Sequence, residues 1–257
     1  MALLDGKMAC VLGVANRWSI ATAIARALHQ HGASLILTYE GERTQGEVEK
    51  LARELGDAPT TACEVSKDES IGSLREFIAG RGLAVDALVH SLAFARKEEL
   101  SGKYFATSRS GFSLALDISA YSLAALCREL QPVFAPQASV MAMTYLGSVR
   151  AVTNYNVMGV AKAALESSIR YLANDMGELN GVRVNAISAG PIKTASARAV
   201  GDFTRILAQV AEKAPLRRNA VAEDVGNAAV FLASGLSSAI TGQILYVDAG
   251  YNIMGIV

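Results

Sequence analysis

The sequence contains few of the side chains that disulfide frameworks and metal sites require. Its 257 residues include three cysteines and three histidines. The cysteines are too far apart to form a CxxC pair, which argues against a disulfide framework or a zinc site, and no His, Cys and Asp residues share metal-ligand spacing. We therefore expect no metal, and we expect buried free thiols in a reducing cytoplasm at Cys10, Cys63 and Cys127.

An excess of charge of either sign is also absent. Lysine and arginine total 24, aspartate and glutamate total 24, and the net charge is zero. A protein without a basic excess lacks the usual signature of a nucleic-acid or anionic-membrane partner. The segment MALLDGKMACVLG has neither the basic start nor the long apolar run of a signal peptide, and no later run is apolar for long enough to predict a membrane-spanning helix. We expect a cytoplasmic protein without nucleic-acid or membrane partners.

What is present is a regular alternation of short apolar runs with amphipathic stretches, in a chain that is 51% hydrophobic. The apolar runs do not alternate strictly with polar residues, as is typical of strands covered on both faces. Between these runs, apolar residues at helical spacing predict helices over 19–32 and 42–56. The pattern predicts a single α/β domain over 1–257, with a doubly wound, seven-stranded parallel sheet and helices on both faces. The candidate strands are 8–14, 34–40, 60–66, 86–92, 139–145, 182–188 and 243–249.

The first strand leads into GVANRWSIA (13–21), a candidate phosphate-binding turn. Gly13 allows a tight turn into a helix whose first N–H groups favour an anion, and Ser19 is placed as an N-cap or a phosphate donor. The pattern G-x-G-x-x-G is incomplete, so the stretch alone is about equally consistent with an ordinary strand–helix turn. Its position in the first βα turn of a doubly wound sheet favours a dinucleotide site.

Glu40, at the end of the second strand, bears on the choice of cofactor. An acidic group there commonly accepts hydrogen bonds from the adenosine ribose and repels a 2′-phosphate, which predicts NADH. Arg43 could pair with that phosphate and leaves NADPH as the alternative. An ordinary solvated strand end is the other explanation of Glu40.

Two phenols and an amine lie close together in TYLGSVRAVTNYNVMGVAK (144–162). Tyr145 ends the fifth strand, and Tyr155 is expected at the start of the next helix with Asn154 as a candidate cap. Lys162 follows on the same helical face but about 10 Å along the axis, a distance that suits contact with a cofactor ribose better than contact with the Tyr155 hydroxyl. Without further context, two packed tyrosines and a surface lysine are the simpler explanation.

Four segments carry a resemblance to a known superfamily: GVANRWSIA, HSLAFA (90–95), the Tyr-x6-Lys spacing within 144–166, and VRVNAISAGPIKT (182–194). From about Asp5 to Asp248 the chain resembles the short-chain dehydrogenase/reductases, and more narrowly the bacterial enoyl-acyl carrier protein reductases. Ordinary members of the superfamily carry Tyr-x-x-x-Lys and Asn-Asn-Ala-Gly, whereas the wider spacing and His-Ser-Leu-Ala are features of the enoyl reductases. The resemblance implies a Rossmann-type domain, a homotetramer, and reduction of trans-2-enoyl thioesters on acyl carrier protein by NADH in fatty acid synthesis.

The same resemblance implies a role at each matching position. Tyr155 is the implied donor to an enolate oxygen, Tyr145 a proton relay or positioning group, and Lys162 the group that holds the nicotinamide ribose. Ala95 is implied to contact substrate through its backbone, and Tyr145 and Tyr155 also line the substrate site. The implied cofactor-binding residues are Gly13, Ser19, Ile20, Glu40, Glu64, Val65, Leu92, Lys162, Ile192, Thr194, Ala195 and Ser196.

The least regular stretch, about 195–209, is expected to form a substrate-binding lid. Helical spacing relates Val200, Phe203 and Leu207, which would give the acyl chain an apolar face, with Val200 and Phe203 as substrate contacts. The alternative is a surface helix packed on the domain. Basic residues in and after this stretch are candidates for contact with an acidic carrier protein: Arg198, Arg205, Lys213, Arg217 and Arg218.

Two other functions remain alternatives. A carbonyl reductase of the same superfamily, acting on 3-ketoacyl or similar substrates, would use the same Tyr–Lys pair and cofactor, although the Tyr-x6-Lys spacing argues against it. A catalytically silent NAD(H)-binding module is the second, and the presence of both tyrosines with the lysine argues against it.

Overall fold

The computed structural model describes residues 2–194 and 203–255. Within them the chain forms seven strands and eight α-helices. The strands are β1 (Met8–Leu12), β2 (Ser34–Tyr39), β3 (Thr60–Ala62), β4 (Val85–His90), β5 (Phe134–Thr144), β6 (Arg183–Ala189) and β7 (Ile244–Val247). The helices are α1 (Ile20–Gln30), α2 (Glu42–Glu54), α3 (Asp68–Ala79), α4 (Arg109–Leu116), α5 (Ser122–Leu130), α6 (Asn156–Asn180), α7 (Phe203–Lys213) and α8 (Ala222–Ala233).

The strands lie parallel in one sheet, in the order β3-β2-β1-β4-β5-β6-β7, which confirms the predicted α/β fold. Side chains of β1 alternate between two apolar cores: Ala9 and Val11 face one, and Cys10 and Leu12 face the other. Helices α1, α2 and α8 cover the first core, and α3, α5 and α6 cover the second. Because both faces of the sheet are buried, its strands need no polar face, which explains their continuous apolar sequences.

One strand begins well before its predicted range. β5 starts at Phe134 rather than at 139, although Pro136 lies near its start and Gln137 has a left-handed φ of 60°. Its pairing with β4 shifts register between Val85 and Ala87, so an irregular strand start accommodates the proline. Proline and a polar neighbour interrupt the apolar run, so the sequence pattern does not predict this start of the strand.

The strand order reverses between β1 and β4, because the chain returns from β3 at one edge to pair β4 with β1. In doubly wound sheets, ligands bind beyond the carboxyl ends of the strands at such a reversal. The turn after β1 passes so close to the end of β4 that a Cβ on Gly13 would lie 2.1 Å from the carbonyl oxygen of Ser91. Gly13 also has φ 100°, in the left-handed region that glycine adopts readily. Both constraints require glycine at the predicted phosphate turn.

All three cysteines are buried with free thiols, as predicted. Burial raises the pKa of Cys63 and of Cys127 to about 12, and it raises the pKa of Cys10 further. These thiols therefore stay protonated and unreactive near neutral pH. In residues 2–194 and 203–255, no group of three or more His, Cys, Asp and Glu side chains has the arrangement of a metal site.

One helical run is longer and more apolar than the sequence led us to expect. Residues Arg109–Val133, which include α4, a π-helical turn (Asp117–Tyr121) and α5, are long and apolar enough by composition to cross a bilayer. Half of the most apolar part is buried within the fold, as in the core helix of a globular domain. Packing of α5 against the second core accounts for this apolar character.

Candidate active site

The two tyrosines meet at the carboxyl end of β5. Tyr145 directly follows that strand, and Tyr155 directly precedes α6. Their ring centroids lie 4.9 Å apart with an interplanar angle of 68°, an edge-to-face contact. Aromatic pairs favour this geometry. The structure therefore brings together the two phenols that the sequence predicted as neighbours.

The backbone on either side of Tyr155 is left-handed. Asn154 has φ 62° and Asn156 has φ 35°. Asparagine tolerates such values better than other residues with a β-carbon, which explains the sequence Asn-Tyr-Asn. The prediction that Asn154 caps the helix is wrong, because Tyr155 itself occupies the N-cap position and no side chain there caps the helix. The Asn156 side chain instead donates to the Ser101 carbonyl oxygen (3.2 Å).

Two glycines allow the phenol rings to approach each other. A Cβ on Gly147 would lie 2.5 Å from Cδ1 of Tyr155 and 3.3 Å from Cδ1 of Tyr145. A Cβ on Gly159 would lie 2.7 Å from the carbonyl oxygen of Gly147. Neither glycine has a left-handed φ, so the close contacts explain them rather than the backbone conformation. The sequence showed both glycines but gave no reason for them.

We expect Gly147→Ala to lower kcat about tenfold to a hundredfold, because the added methyl group displaces the Tyr155 ring and a displacement of about 1 Å can cost that much. NADH affinity and thermal stability should change much less. Steady-state kinetics with the enoyl thioester and NADH that the family resemblance implies, NADH titration and thermal unfolding measure the three effects. Gly46→Ala is the matched control, since Gly46 is exposed on α2 with nothing within 4 Å of its Cβ position. Equal kcat in the two variants would contradict the role assigned to Gly147.

Lys162 is a buried residue of α6, with 4% of its surface exposed, and not the surface lysine of the simpler explanation. Its Nζ donates to the carbonyl oxygens of Met143 (2.7 Å) and Leu92 (3.3 Å). These carbonyls belong to the end of β5 and to the segment after β4, so the ammonium lies at the carboxyl edge of the sheet. Burial lowers the pKa of Lys162 to about 8, and the nearby Glu166 charge opposes that decrease.

Both phenols hold their protons more tightly than free tyrosine. Burial, with a smaller contribution from Tyr251, raises the pKa of Tyr145 to about 12. Burial, followed by the charges of Tyr145 and Glu166, raises the pKa of Tyr155 still further. At neutral pH each hydroxyl is therefore a hydrogen-bond donor, and neither is a phenolate. Such a pair can stabilise a negative oxygen that develops nearby.

The π-helical turn between α4 and α5 holds the segment after β4. Ser119 in this turn accepts from the backbone N–H of Phe94 (3.0 Å). Ser122 donates to the Ile118 carbonyl oxygen (2.7 Å) and lies 2.8 Å from Nε2 of His90, so its oxygen accepts from that ring nitrogen. Sequence patterns identified HSLAFA but not the serines that position it, because a π-helical turn has no clear signal in one sequence.

His90 is neutral in this setting. It is fully buried, and burial, with a smaller contribution from the Lys162 charge, lowers its pKa to about 3. The sequence alone indicated no role for His90. As a neutral ring it adds no charge beside Lys162.

At the phosphate end, Ser19 occupies the predicted N-cap position of α1 but does not cap the helix with its side chain. Its hydroxyl donates to the Asn16 carbonyl oxygen (2.9 Å), which also accepts from the Thr22 hydroxyl (2.8 Å). These bonds close the 16–22 turn on itself. Ile20 is the first residue of α1, at the end of the helix that favours anions.

The two acidic residues predicted near the adenosine lie in local ion pairs. Glu40 is exposed and lies 3.6 Å from Arg43, the residue that left NADPH open. Glu64 lies 2.7 Å from Lys67, and its backbone N–H donates to the Ser70 hydroxyl (2.8 Å). The Lys67 hydrogen bond lowers the pKa of Glu64.

Of the remaining predicted positions, some lie within the described residues and the others lie outside them. Val65, Leu92 and Ile192 are partly buried against the two cores, and Ala95 and Thr194 are partly buried as well. Phe203 begins α7, whose Leu207 is buried. The predicted positions Ala195, Ser196 and Val200, together with Arg198, lie outside the described residues.

The chain is similar to known proteins over almost its whole length. A family profile described as "Enoyl-(Acyl carrier protein) reductase" matches residues 13–252. Enoyl-[acyl-carrier-protein] reductase [NADH] FabI of Bacillus cereus is 49% identical over 257 residues, which cover 99% of this chain and 100% of that protein. The protein of the same name from Nostoc is 49% identical over 258 residues, with 99% and 100% coverage.

Solved structures agree with this similarity. The Bacillus cereus enoyl-acyl carrier protein reductase, solved with NADP+ and indole naphthyridinone, matches with a TM-score of 0.97 and 49% identity over 100% of both chains. The Anaplasma phagocytophilum enoyl-(acyl-carrier-protein) reductase, solved with NAD, matches with a TM-score of 0.94 and 40% identity over 99% of this chain and 95% of that one. These proteins share both the length and the fold of this chain.

Proposed function

Because the chain belongs to the enoyl-(acyl carrier protein) reductase family, we propose that it reduces trans-2-enoyl thioesters of acyl carrier protein to acyl thioesters with NADH. The observation that carries the proposal is the pair of protonated phenols in edge-to-face contact, 4.9 Å apart, beside the carboxyl end of β5. A pair of neutral donors suits a reaction in which negative charge appears on a carbonyl oxygen. Such a reaction does not require either phenol to lose its proton first.

The carboxyl edge of the sheet fits a dinucleotide. Gly13 has no side chain where the chain turns into α1, and a Cβ there would meet the Ser91 carbonyl group. Helix α1 begins at this turn, so its N-terminus would favour the pyrophosphate, and the buried Lys162 ammonium has the charge and the depth to hold a ribose. The other residues that would hold NADH are Ser19, Ile20, Glu40, Glu64, Val65, Leu92, Ile192, Thr194, Ala195 and Ser196.

When bound, NADH supplies the hydride that reduces the β-carbon of the enoyl group. Tyr155 donates a hydrogen bond to the thioester oxygen as negative charge collects there, and its raised pKa keeps the proton on the phenol. Tyr145 packs against that ring and positions substrate or relays the proton that reaches the α-carbon. The protein thus aligns the reactants and stabilises one oxygen.

Selection of NADH over NADPH is attributed to Glu40. Its carboxylate is exposed at the end of β2, where it would repel a 2′-phosphate, and its partner Arg43 lies only 3.6 Å away. NADPH is the secondary cofactor in this proposal, because Arg43 could turn from Glu40 to the phosphate.

Further proposals concern the surroundings of the site. We place a substrate-binding lid at about 195–209, of which the described part is the start of α7, with Phe203 partly buried and Leu207 buried. The basic residues Arg205, Lys213, Arg217 and Arg218 would meet the carrier protein. We also propose a homotetramer that works as a soluble enzyme in the cytoplasm.

The deciding experiment compares two substrates. We expect rapid oxidation of NADH with a trans-2-enoyl thioester and little or none with the 3-ketoacyl thioester of the same chain length. The loss of NADH absorbance at 340 nm measures both rates. The reverse preference would identify a carbonyl reductase. Tight NADH binding without turnover of either thioester would identify a non-catalytic module.

A further inference from the structure

One buried charged side chain near the phenols has no part in the mechanism above. Glu166 lies on α6 with 6% of its surface exposed. Buried carboxylates are rare unless a partner compensates the loss of water. Its Oε1 accepts from the Thr144 hydroxyl at 2.6 Å, and Thr144 is itself buried. This short bond ties the middle of α6 to the last residue of β5.

Glu166 belongs to a stripe of α6 that faces the end of β5. The stripe consists of Tyr155, Gly159, Lys162 and Glu166, at intervals of three or four residues that place them on one helical face. Each member contacts the segment 143–147: Tyr155 packs on Tyr145, Gly159 lies against Gly147, Lys162 donates to Met143 and Glu166 accepts from Thr144. Tyr145 follows Thr144 directly, so the last two contacts anchor the two residues that precede a phenol.

The charges on this stripe are complementary. Lys162 and Glu166 are four residues apart on one helical face and bind the adjacent residues Met143 and Thr144, so their opposite charges lie near each other. His90 from β4 interacts with Lys162, and Tyr155 before α6 and Tyr246 from β7 interact with Glu166. His90 is neutral, and burial keeps the phenols protonated. Glu166 therefore supplies the opposing negative charge among these groups.

Resting on the proposed function, we propose that Glu166 is the positioning residue of the NADH site: it binds the end of β5 through Thr144 and keeps the neighbouring Lys162 in its charged form. A buried ammonium without a counter-charge would lose its proton more easily. Burial already lowers the pKa of Lys162 to about 8, and the Glu166 charge acts in the opposite direction. Without that charge, Lys162 would become neutral at a lower pH and would hold the ribose less well.

The test is the pH dependence of NADH affinity, measured by direct titration from pH 6 to pH 9.5. In the wild type, affinity should decrease as pH rises through about 8, where Lys162 loses its proton. Glu166→Gln retains an oxygen that can accept from Thr144. In this variant the midpoint should move to lower pH by about one unit, so that NADH affinity near pH 8 is severalfold below that of the wild type. Above the wild-type midpoint, the difference in affinity should approach about tenfold. Below both midpoints, near pH 6, the two profiles should approach each other.

Two further variants make the outcome decisive. Glu178→Gln, at an exposed position of the same helix, should leave the midpoint unchanged. If Glu166→Gln does not fold, Thr144→Val combined with Glu166→Leu removes both polar partners without leaving either unpaired, and it should show the same shift. A folded variant of either kind with the wild-type pH profile overturns the proposal.

The wild-type measurements separate this inference from the proposed function. If the wild type does not bind NADH, or binds it without reducing an enoyl thioester, the proposed function fails. If the wild type binds and reduces normally while the Glu166→Gln profile is unshifted, only the role of Glu166 is refuted.

Discussion

Tyr155→Phe is expected to lower kcat by about a hundredfold to a thousandfold, the usual cost of removing one hydrogen-bond donor from a developing oxyanion. The raised pKa of Tyr155 keeps its proton in place for donation throughout the neutral range. The phenylalanine ring preserves the edge-to-face contact with Tyr145, so the change removes a hydroxyl group and little else. NADH affinity should be nearly unchanged, because the proposed ribose contact belongs to Lys162.

The measurements are kcat and kcat/KM with an enoyl thioester, together with an NADH titration. A donor that acts only in the transition state predicts that kcat and kcat/KM fall by the same factor. Tyr171→Phe is the matched control, since Tyr171 lies on α6 with 73% of its surface exposed. Tyr145→Phe, measured in the same way, shows which of the two hydroxyl groups contributes more to kcat. If Tyr155→Phe turns over at the wild-type rate, its hydroxyl is not the donor.

Gly13→Ala is expected to produce the largest loss of stability. The left-handed φ of 100° disfavours alanine, and the new methyl carbon would lie 2.1 Å from the Ser91 carbonyl oxygen, a contact that backbone atoms cannot avoid without moving β1 from β4. The combined cost should be about 3 kcal/mol or more. For a chain of this size, that corresponds to a decrease in Tm of about 10 °C. NADH affinity should fall at least about tenfold, because the same movement displaces the turn before α1.

A second glycine separates the two causes. Gly82 has a left-handed φ of 64° but no atom within 4 Å of its Cβ position. Gly82→Ala should therefore cost only the backbone term, about 1 kcal/mol, and should leave NADH affinity unchanged. Thermal unfolding and NADH titration of both variants give the comparison. Similar losses of stability in the two would show that the Ser91 contact is unimportant.

The sheet was predictable because burial on both faces makes each strand a continuous apolar run. The same rule failed at Phe134, where Pro136 and Gln137 break the run although the backbone still pairs. The candidate site was predictable as a set of residue types at given spacings, supported by a family resemblance. The contacts between distant segments were not predictable, because pairs such as Gly13 with Ser91 or Thr144 with Glu166 depend on where separate elements meet.

Local polar chemistry was also partly misjudged. Asn154 has the side chain of a good cap, and sequence rules favour it before a helix. The structure uses its tolerance of a left-handed backbone instead, so that Tyr155 lies between two residues with left-handed φ angles. The same residue type serves both purposes, and only the backbone angles distinguish them.

The π-helical turn at Asp117–Tyr121 limits how this region can change during evolution. Such a turn contains one residue more than an α-helical turn would need. Deleting Ala120 would restore a regular α-helical turn and would leave one residue fewer between Ser119 and Ser122. Ser119 and Ser122 would then no longer face Phe94 and His90 together. Homologues that retain this reaction should therefore show substitutions here but no insertions or deletions.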